Sequence, residues 1–471
     1  MKTDGLQNHS RRDFGKIMAS LFGAGAAAMA GPVVGLAEAE EQIQKNREKL
    51  RVVEGFPIQV DQSKYARFSS KNIALNVVSR ELGEPWFKGV YQKNMAKNLA
   101  EGRTGKSLKP VGGAQERSAI ALTFAGHSFN VSTSAHGEGH ENVGPLSWVA
   151  YKVPEFLTDK PPAEKDPEIL TQQVKVAARL FGADLVGIAA FNPAWIYSST
   201  QINPYEPGEP KLKDIVIRDV PKPLGDDREL VMPSDAKSVV VLAYEQNRLM
   251  LQTSPSFLAS AATNLGYGRM GVGSVFLAEF IRGLGYWAIP AKNDTGLSVP
   301  MAIEAGMGEK SRIGVLITPQ FGPSIRLSKV ITNIPLVVNK PIRFGVEEFC
   351  AVCKKCAREC PSKAITTGEQ TWEGPNECSS NGIRKWYADT KKCLNFWVEN
   401  GTSCSNCLAV CPFTKGPSWG HNVVHWMVDK APVADGILLA LDDGFGYGRR
   451  RSEKEIWEAS FGSYGIDPKK G

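Results

Sequence analysis

Eight of the nine cysteines in this chain fall into two similar motifs near its C-terminal end. The first has the spacing C-x2-C-x2-C-x3-C-P. The second has C-x2-C-x3-C-P, and ten residues separate it from one more cysteine upstream. Such runs hold [4Fe-4S] clusters, and in two-cluster ferredoxins the cysteine before the proline binds the other cluster. We therefore predict that one cluster is held by Cys350, Cys353, Cys356 and Cys411, and a second by Cys360, Cys393, Cys404 and Cys407.

Two other interpretations of these cysteines remain open. Zinc also uses C-x2-C pairs, but two zinc sites would not need the x3-C-P ending in both motifs. Disulfides would require this region to mature unfolded in an oxidising compartment. The complete bacterial ferredoxin run in the first motif favours iron-sulfur clusters. Cys378 lies outside both motifs and is interpreted as a spare thiol.

The composition is that of an ordinary globular protein. The chain has 471 residues, 42% of them hydrophobic and 22% charged, which predicts two or three domains. The net charge of +7 is spread over nearly balanced acids and bases, without a basic stripe that carries interleaved aromatics. The sequence therefore gives no indication of a nucleic-acid partner.

The N-terminus has the pattern of an export signal. Arg11 and Arg12 stand in the run SRRDFGK, and an uncharged stretch rich in Gly and Ala follows at 17–37. Small residues at Ala37 and Ala39 predict cleavage after Ala39. A permanent membrane anchor is the alternative, since the stretch is about long enough to span a bilayer. We expect export by the twin-arginine machinery to the periplasmic, outer face of the cytoplasmic membrane.

Hydrophobic periodicity divides the chain into five segments. They are a signal peptide (1–39), an N-terminal unit that helps to wall a substrate pocket (40–166), an α/β core (167–340), a two-cluster domain (341–425) and a C-terminal segment (426–471). In the core, helices predicted at 169–181, 260–284 and 299–305 alternate with strands at 183–190, 239–243, 286–290 and 313–318. The proline-rich stretch 202–233 is predicted to be a long loop. Alternating strands and helices predict a layered α/β domain.

Three further runs carry a family resemblance: FGADLVG at 181–187, GMGEKSR at 306–312 and FGVEEFC at 344–350. Together with the export signal and the cluster motifs, they resemble respiratory reductive dehalogenases, close to the tetrachloroethene and chloroalkane branches. The resemblance implies an α/β (α+β) fold, with a nitroreductase-like corrinoid-binding core and a ferredoxin-like two-cluster domain. It also implies a cobalamin-type corrinoid bound base-off. The histidine-ligand pattern D-x-H-x-x-G is absent around all six histidines.

The resemblance also implies site residues. Tyr267 would donate a proton above the cobalt, Arg312 would lie beside it, and Asn293 would complete the group. A tyrosine ordinarily has a pKa of about 10, and a nearby arginine stabilises the tyrosinate. Trp397 matches a position that lines the substrate cavity, although an ordinary core tryptophan is an equal alternative. The corrinoid contacts are expected at Gly266, Gly268, Thr295, Gly296 and Ser298.

The predicted activity is the replacement of a carbon-bound halogen, from a small chlorinated ethene or alkane, by hydrogen. Electrons would pass from quinol through a small membrane anchor protein and the two clusters, and would reduce Co(II) to Co(I). A homodimer is compatible with the sequence. Two alternatives stay open: an epoxyqueuosine-reductase-like corrinoid enzyme, which would lack the export signal, and a two-cluster electron carrier. A corrinoid-independent flavin reductase would be recognised by its visible absorbance.

Metal analysis separates these interpretations. Protein prepared without oxygen is expected to contain about one cobalt and about eight irons per chain, because one corrinoid and two [4Fe-4S] clusters are predicted. About eight irons without cobalt, even after reconstitution with corrinoid, would contradict the dehalogenase and favour the electron carrier.

Overall fold

The computed structural model describes residues 51–107, 113–132, 146–148, 154, 157, 162, 164–226, 228–414, 435–444 and 448–458. The predicted export signal and its cleavage site lie outside these residues. Within the described ranges, no helix combines the length and the apolar character that crossing a membrane requires.

Helices and strands of unequal length alternate along the chain. The strands are β1 (Arg51–Val52), β2 (Leu185–Ala190), β3 (Ser199–Gln201), β4 (Leu212–Arg218), β5 (Leu224–Gly225), β6 (Glu229–Pro233), β7 (Ser238–Glu245), β8 (Ala288–Ala291), β9 (Glu309–Lys310), β10 (Leu316–Ile317), β11 (Ile325–Thr332) and β12 (Ile342–Arg343). The helices are α1 (Ala74–Leu82), α2 (Gln92–Ala100), α3 (Gly113–Ser132), α4 (Pro167–Leu180), α5 (Arg248–Leu251), α6 (Phe257–Gly283), α7 (Ser298–Glu304), α8 (Val346–Cys353), α9 (Lys355–Arg358), α10 (Thr390–Asn400), α11 (Asn406–Ala409), α12 (Asp435–Gly444) and α13 (Glu453–Glu458).

A four-stranded sheet in the order β2-β7-β11-β8 forms the centre of the core, and all of its strand pairs are antiparallel. Strand β7 is buried over seven of its eight residues, as its continuous run of Val, Leu and Ala predicts. The sequence predicted β2, β7 and β8 but missed β11. Arg326 and Lys329 interrupt the apolar pattern of that strand, so it lacks the periodicity of its neighbours.

The long helix α6 lies against this sheet. Its N-terminus is capped by Ser256, whose hydroxyl accepts a hydrogen bond from the Ala259 N–H at 3.1 Å. Met270, Leu277 and Ile281 are buried among the sheet residues. Of the five residues predicted at core spacing (Val272, Val275, Phe276, Phe280 and Leu284), Phe276 is 50% exposed, which contradicts that part of the prediction.

The predicted loop at 202–233 is wrong in part, because strands β4, β5 and β6 lie within it. They join β3 in a second sheet, in which β4 and β6 are parallel. The prolines that suggested a loop fall outside the strands or at a strand end: Pro204, Pro207, Pro210, Pro221, Pro223 and Pro233. Proline marks connections and strand ends without excluding the strands between them.

The cysteine-bearing region packs directly on the core. Phe349 and Phe413 contact each other edge to face, with ring centroids 5.5 Å apart. They share one hydrophobic cluster with Ile317 and Ile342 from the preceding strands. At this junction Gly322 has a φ of +57°, and a Cβ there would collide with the carbonyl of Phe413. The close backbone approach explains why glycine is needed.

We expect Gly322→Ala to loosen this junction. Strain at positive φ together with the collision should lower the free energy of unfolding by roughly 3 kcal/mol. Gly314→Ala is the matched control, because Gly314 also has positive φ (+90°) but open space around its Cβ position; it should cost only about 1 kcal/mol. Thermal unfolding of both variants checks this, and equal losses would contradict it.

Candidate active site and cluster sites

Tyr267 and Asn293, two of the three predicted catalytic residues, meet in the structure. Tyr267 lies on α6, and Asn293 follows the last residue of β8 by two positions. The Asn293 side-chain amide donates a hydrogen bond of 2.9 Å to the Tyr267 hydroxyl oxygen. The contact joins the helix to the end of a strand in the sheet beneath it.

The arginine beside Tyr267 is Arg326, on the strand that the sequence did not predict. Its Nη1 donates to the Tyr267 oxygen at 3.3 Å, and its guanidinium lies 4.5 Å from the centroid of the tyrosine ring. Gly266 allows this approach, since a Cβ at Gly266 would lie 2.9 Å from Cγ of Arg326. A Cβ at Gly268 would lie 3.4 Å from the carbonyl oxygen of Gly126 on α3, an ordinary van der Waals distance. Gly266 therefore has a packing role, and corrinoid contact by the two glycines stays a prediction.

The prediction that Arg312 lies beside Tyr267 is wrong. Arg312 is 1% exposed and its guanidinium stacks over Trp386, 4.4 Å from the centre of the ring system. Its Nε donates to the carbonyl of Cys350 at 2.9 Å. Its Nη1 donates to the carbonyls of Thr366 and Gly368 at 3.0 and 2.9 Å. These contacts tie Arg312 to the cysteine-bearing region.

The loop at 292–298, which carries Asn293, is held by a buried lysine. Lys329 on β11 donates from Nζ to the carbonyls of Lys292 and Asp294, both at 2.7 Å, and to the Ser298 hydroxyl at 3.1 Å. Burial lowers the pKa of Lys329 to about 8, while Asp294 opposes that shift. Three acceptors offset the cost of burying this side chain.

Thr295 and Gly296 complete the loop. Thr295 has a φ of +66° and is buried, and its hydroxyl donates to the Asp294 carboxylate at 3.2 Å. A Cβ at Gly296 would lie 2.6 Å from the carbonyl of Trp195. The hydroxyl of Tyr197 donates to the Asn293 carbonyl at 3.0 Å. The predicted corrinoid contacts Thr295 and Gly296 thus shape the backbone that presents Asn293.

Two adjacent cavities open beside this loop. One, of about 280 Å³, is lined by Asn293, Leu297 and Ser298 among others. A second, of about 530 Å³, reaches Glu347 and Trp386 in the cysteine-bearing region. The two share four lining residues: Ile58, Ile303, Lys310 and Lys385. A large group that filled both would contact Asn293 and Ser298 at one end and the cysteine-bearing region at the other, so the space fits a corrinoid.

The predicted cysteine sets are grouped in space. A third cavity is lined by the first set: Cys350, Cys353, Cys356 and Cys411. In the second set, Cys393 interacts electrostatically with Cys404 and Cys360, and Cys407 interacts with all three. All nine cysteines are free thiols. No three His, Cys, Asp or Glu side chains of the described residues lie close enough to hold a single metal ion.

Burial controls the ionisation of these thiols. It raises the pKa of Cys356 to about 12, with further repulsion from Cys353. It raises the pKa of Cys404 to about 11. Burial of these two thiols therefore favours their protonated form, and cluster ligation displaces the two protons. Cys378 stands apart from both sets, beside Glu377 and Lys391.

Trp397 lies on α10 in an aromatic cluster with Trp86, Phe87 and Tyr91. Its indole is also close enough to Cys393 to lower the pKa of that thiol, against the larger effect of burial. The structure therefore places Trp397 between the N-terminal unit and the second cysteine set. It serves at least as a packing residue, which was one of its two predicted roles.

Comparison with known proteins decides the family. A family model for the reductive dehalogenase subunit matches residues 184–336, and one for a 4Fe-4S double cluster binding domain matches residues 349–414. The chain is 40% identical to the tetrachloroethene reductive dehalogenase of Sulfurospirillum multivorans, over 97% of this chain and 95% of that one. The chain belongs to the reductive dehalogenase family.

Other relatives of this reductive dehalogenase cover less of it. A tetrachloroethene reductive dehalogenase of Desulfitobacterium hafniense is 38% identical over 61% of this chain and 56% of its own. The solved structure of the catabolic reductive dehalogenase NpRdhA has the same fold, with a TM-score of 0.61 and 22% identity over 86% of this chain and 49% of its own. The epoxyqueuosine reductase of Bacillus cereus is 30% identical but matches only 27% of this chain and 33% of its own.

Family membership confirms three predictions. The fold combines an α/β core with a double-cluster domain, and the enzyme class is that of an organohalide-reducing oxidoreductase. The cofactor set is a corrinoid with two [4Fe-4S] clusters. These matches also resolve the alternatives of zinc and disulfides in favour of clusters.

Replacement of Arg312 tests its position. Arg312→Leu removes the side-chain donor to the carbonyl of buried Cys350, at a cost of about 1–3 kcal/mol. We expect iron to fall from about eight towards about four per chain, because the first cysteine set loses its support. Arg51→Leu, at an exposed arginine, should keep full iron. If Arg312→Leu kept its full iron content but lost halide release, Arg312 would have a catalytic role instead.

Proposed function

We propose that this reductive dehalogenase removes halogen from a small chlorinated ethene or alkane during organohalide respiration. The supporting observation is the group formed by Tyr267, Asn293 and Arg326 at one end of the paired cavities. Identity of 40% with a tetrachloroethene reductive dehalogenase over nearly the whole chain favours chlorinated ethenes. The overall reaction consumes two electrons and one proton, and it releases a halide ion and a C–H product.

Tyr267 is suited to supply the proton. Asn293 and Arg326 both donate hydrogen bonds to its oxygen, so neither accepts the tyrosine's own proton. The O–H of Tyr267 is left to point towards a bound substrate. A general acid positioned in this way typically contributes 10²–10⁴-fold to a rate.

Arg326 and Asn293 prepare the tyrosine for that step. The guanidinium lies within hydrogen-bonding distance of the oxygen that becomes negative when the proton leaves. The neutral amide of Asn293 fixes the orientation of the oxygen without adding charge. When bound, the corrinoid supplies the low-valent cobalt that delivers electrons to the carbon–halogen bond.

The cysteines divide into a set near the cavities and a more exposed set. Ala351, next to Cys350, lines the larger cavity together with Trp386. Cys350 is buried, whereas Cys393 and Cys404 are partly exposed. We therefore assign the first set (Cys350, Cys353, Cys356, Cys411) to the cluster nearer the corrinoid. The second set (Cys360, Cys393, Cys404, Cys407) would hold the cluster that receives electrons from outside.

The cellular setting is part of the proposal. The Arg11-Arg12 pattern favours export of the folded, cofactor-loaded protein by the twin-arginine machinery. A small membrane anchor protein and a quinol-linked donor would then supply electrons at the outer face of the membrane.

The assay that tests the proposal is halide release with a reduced viologen dye. Cofactor-loaded protein should release chloride from tetrachloroethene, and more slowly from a chloroalkane. The 40% identity with a tetrachloroethene reductive dehalogenase is the reason to expect this order. Tyr267→Phe should lower the turnover number by at least about 100-fold, since it removes the proton donor but little volume.

Tyr286→Phe is the matched control for Tyr267→Phe. Tyr286 follows the same helix, and its hydroxyl donates to the Glu164 carbonyl at 2.9 Å, away from the cavities. Its loss should leave turnover unchanged. Wild-type turnover by Tyr267→Phe would refute the proton-donor role. Full metal content without halide release from any organohalide tested would refute the proposed substrate class.

A further inference from the structure

Lys310 and Lys385 form a pair of cations in the wall shared by the two cavities. Lys310 ends β9, where it pairs with Leu316 of β10. Lys385 is fixed by two backbone hydrogen bonds to Thr371, of 2.9 and 3.0 Å. Both side chains line both cavities. The backbone pairing of each residue therefore holds its side chain at the boundary between the Asn293 end and the cysteine-bearing end.

Neither lysine has an acidic partner in the part of the chain that the structure describes. Among the described residues, neither lysine forms an ion pair, and their Nζ atoms lie within hydrogen-bonding range of each other. Lys385 Nζ also lies 4.4 Å from the centre of the Tyr387 ring. Burial lowers the pKa of Lys385 to about 8 and lowers that of Lys310 well below its usual value. Two adjacent ammonium groups repel each other unless an anion lies between them.

The nearby carboxylates are engaged elsewhere. Glu309 accepts hydrogen bonds from the backbone N–H groups of Phe344 and Val346. Glu347 pairs with Arg343 and accepts from Gln370. Glu309, Glu347 and Glu348, three of the four carboxylates that line the larger cavity, thus have partners, and none of the four forms an ion pair with Lys310 or Lys385 in the described part of the chain.

We propose that Lys310 and Lys385 bind the phosphodiester of the corrinoid's nucleotide loop. The inference rests on the proposed corrinoid-dependent function. The side chains of a cobalamin-type corrinoid are neutral amides, so its phosphodiester is the one anionic group that it brings into the cavities. Two lysines bind a phosphate through charge-assisted hydrogen bonds, which are stronger than those between neutral groups.

The test compares two ligands that differ in this group. Full chain with its clusters, produced in a host given no corrinoid, is titrated with cob(II)alamin and with cob(II)inamide, which lacks the nucleotide loop and its phosphate. Binding is followed by the visible spectrum and by equilibrium filtration. Lys310→Met and Lys385→Met should each bind cob(II)alamin roughly tenfold to a hundredfold more weakly. Both should bind cob(II)inamide as the wild type does.

Controls separate this inference from simple misfolding and from the proposed function. Lys93→Met, at a lysine whose side chain is 74% exposed, should bind both ligands normally. Unchanged cob(II)inamide binding shows that a variant is folded. Equal weakening for both ligands, or no weakening for either, would overturn the inference while leaving the dehalogenase intact. Wild-type protein that binds neither ligand would overturn the corrinoid premise itself.

Competition with free anions completes the test. If inorganic phosphate or chloride displaced cob(II)inamide, or if wild type bound the two corrinoids equally, the pair would be a site for a free anion. Either result would overturn the inference. Weakening of cob(II)alamin binding by millimolar phosphate in wild type, with no such effect in Lys385→Met, would support it.

Discussion

The phenolic oxygen of Tyr267 accepts hydrogen bonds from Asn293 and Arg326, and this convergence depends on the arrangement of the core. Its three residues come from helix α6, the loop after β8 and strand β11. They meet only if the helix lies across the sheet at one rotation and one register. Gly266 is part of that condition, because any side chain there would push the helix away from the stem of Arg326. The geometry of the site is therefore a consequence of helix-on-sheet packing.

Strand β11 contributes to the site from both of its faces. Val330 packs in the same cluster as residues of α6, and Arg326, four positions earlier, lies on that face. Leu327 and Ile331 pack in the other cluster, and Lys329 lies on their face, beneath the loop at 292–298. One cation thus holds the tyrosine and the other holds the loop that carries the asparagine. A central strand with one buried and one partly buried cation is costly, and the hydrogen bonds to Tyr267 and to the loop explain why it is tolerated.

The same strand explains where the sequence was informative. Cysteine spacing determined both cluster motifs, because ligation chemistry is local and depends on few residue types. The positions of Tyr267 and Asn293 came from family resemblance, and the structure brings them together. Arg326 was missed because polar residues in 325–332 hide the strand, so nothing placed that arginine across the sheet from Tyr267. The sequence did contain a signal for this strand, because a short run rich in β-branched residues lies between Pro323 and Pro335. The contact of Arg312 with Trp386 depends on chain segments far apart in sequence, which periodicity does not report.

The buried cations near the site share one feature that bears on function, which is that their hydrogen-bond acceptors are neutral groups. Arg312 donates to backbone carbonyls, and Lys329 donates to two carbonyls and a hydroxyl, so these cations are hydrogen-bonded without being neutralised. A carboxylate partner would satisfy the same donors but would cancel the charge. Carbonyl dipoles satisfy the donors and leave a net positive charge inside the protein, where the low dielectric makes it effective over longer distances. In the proposed reaction the enzyme would gather electrons in its interior and create a transient tyrosinate and a halide ion. A core that keeps uncancelled positive charge stabilises each of these states.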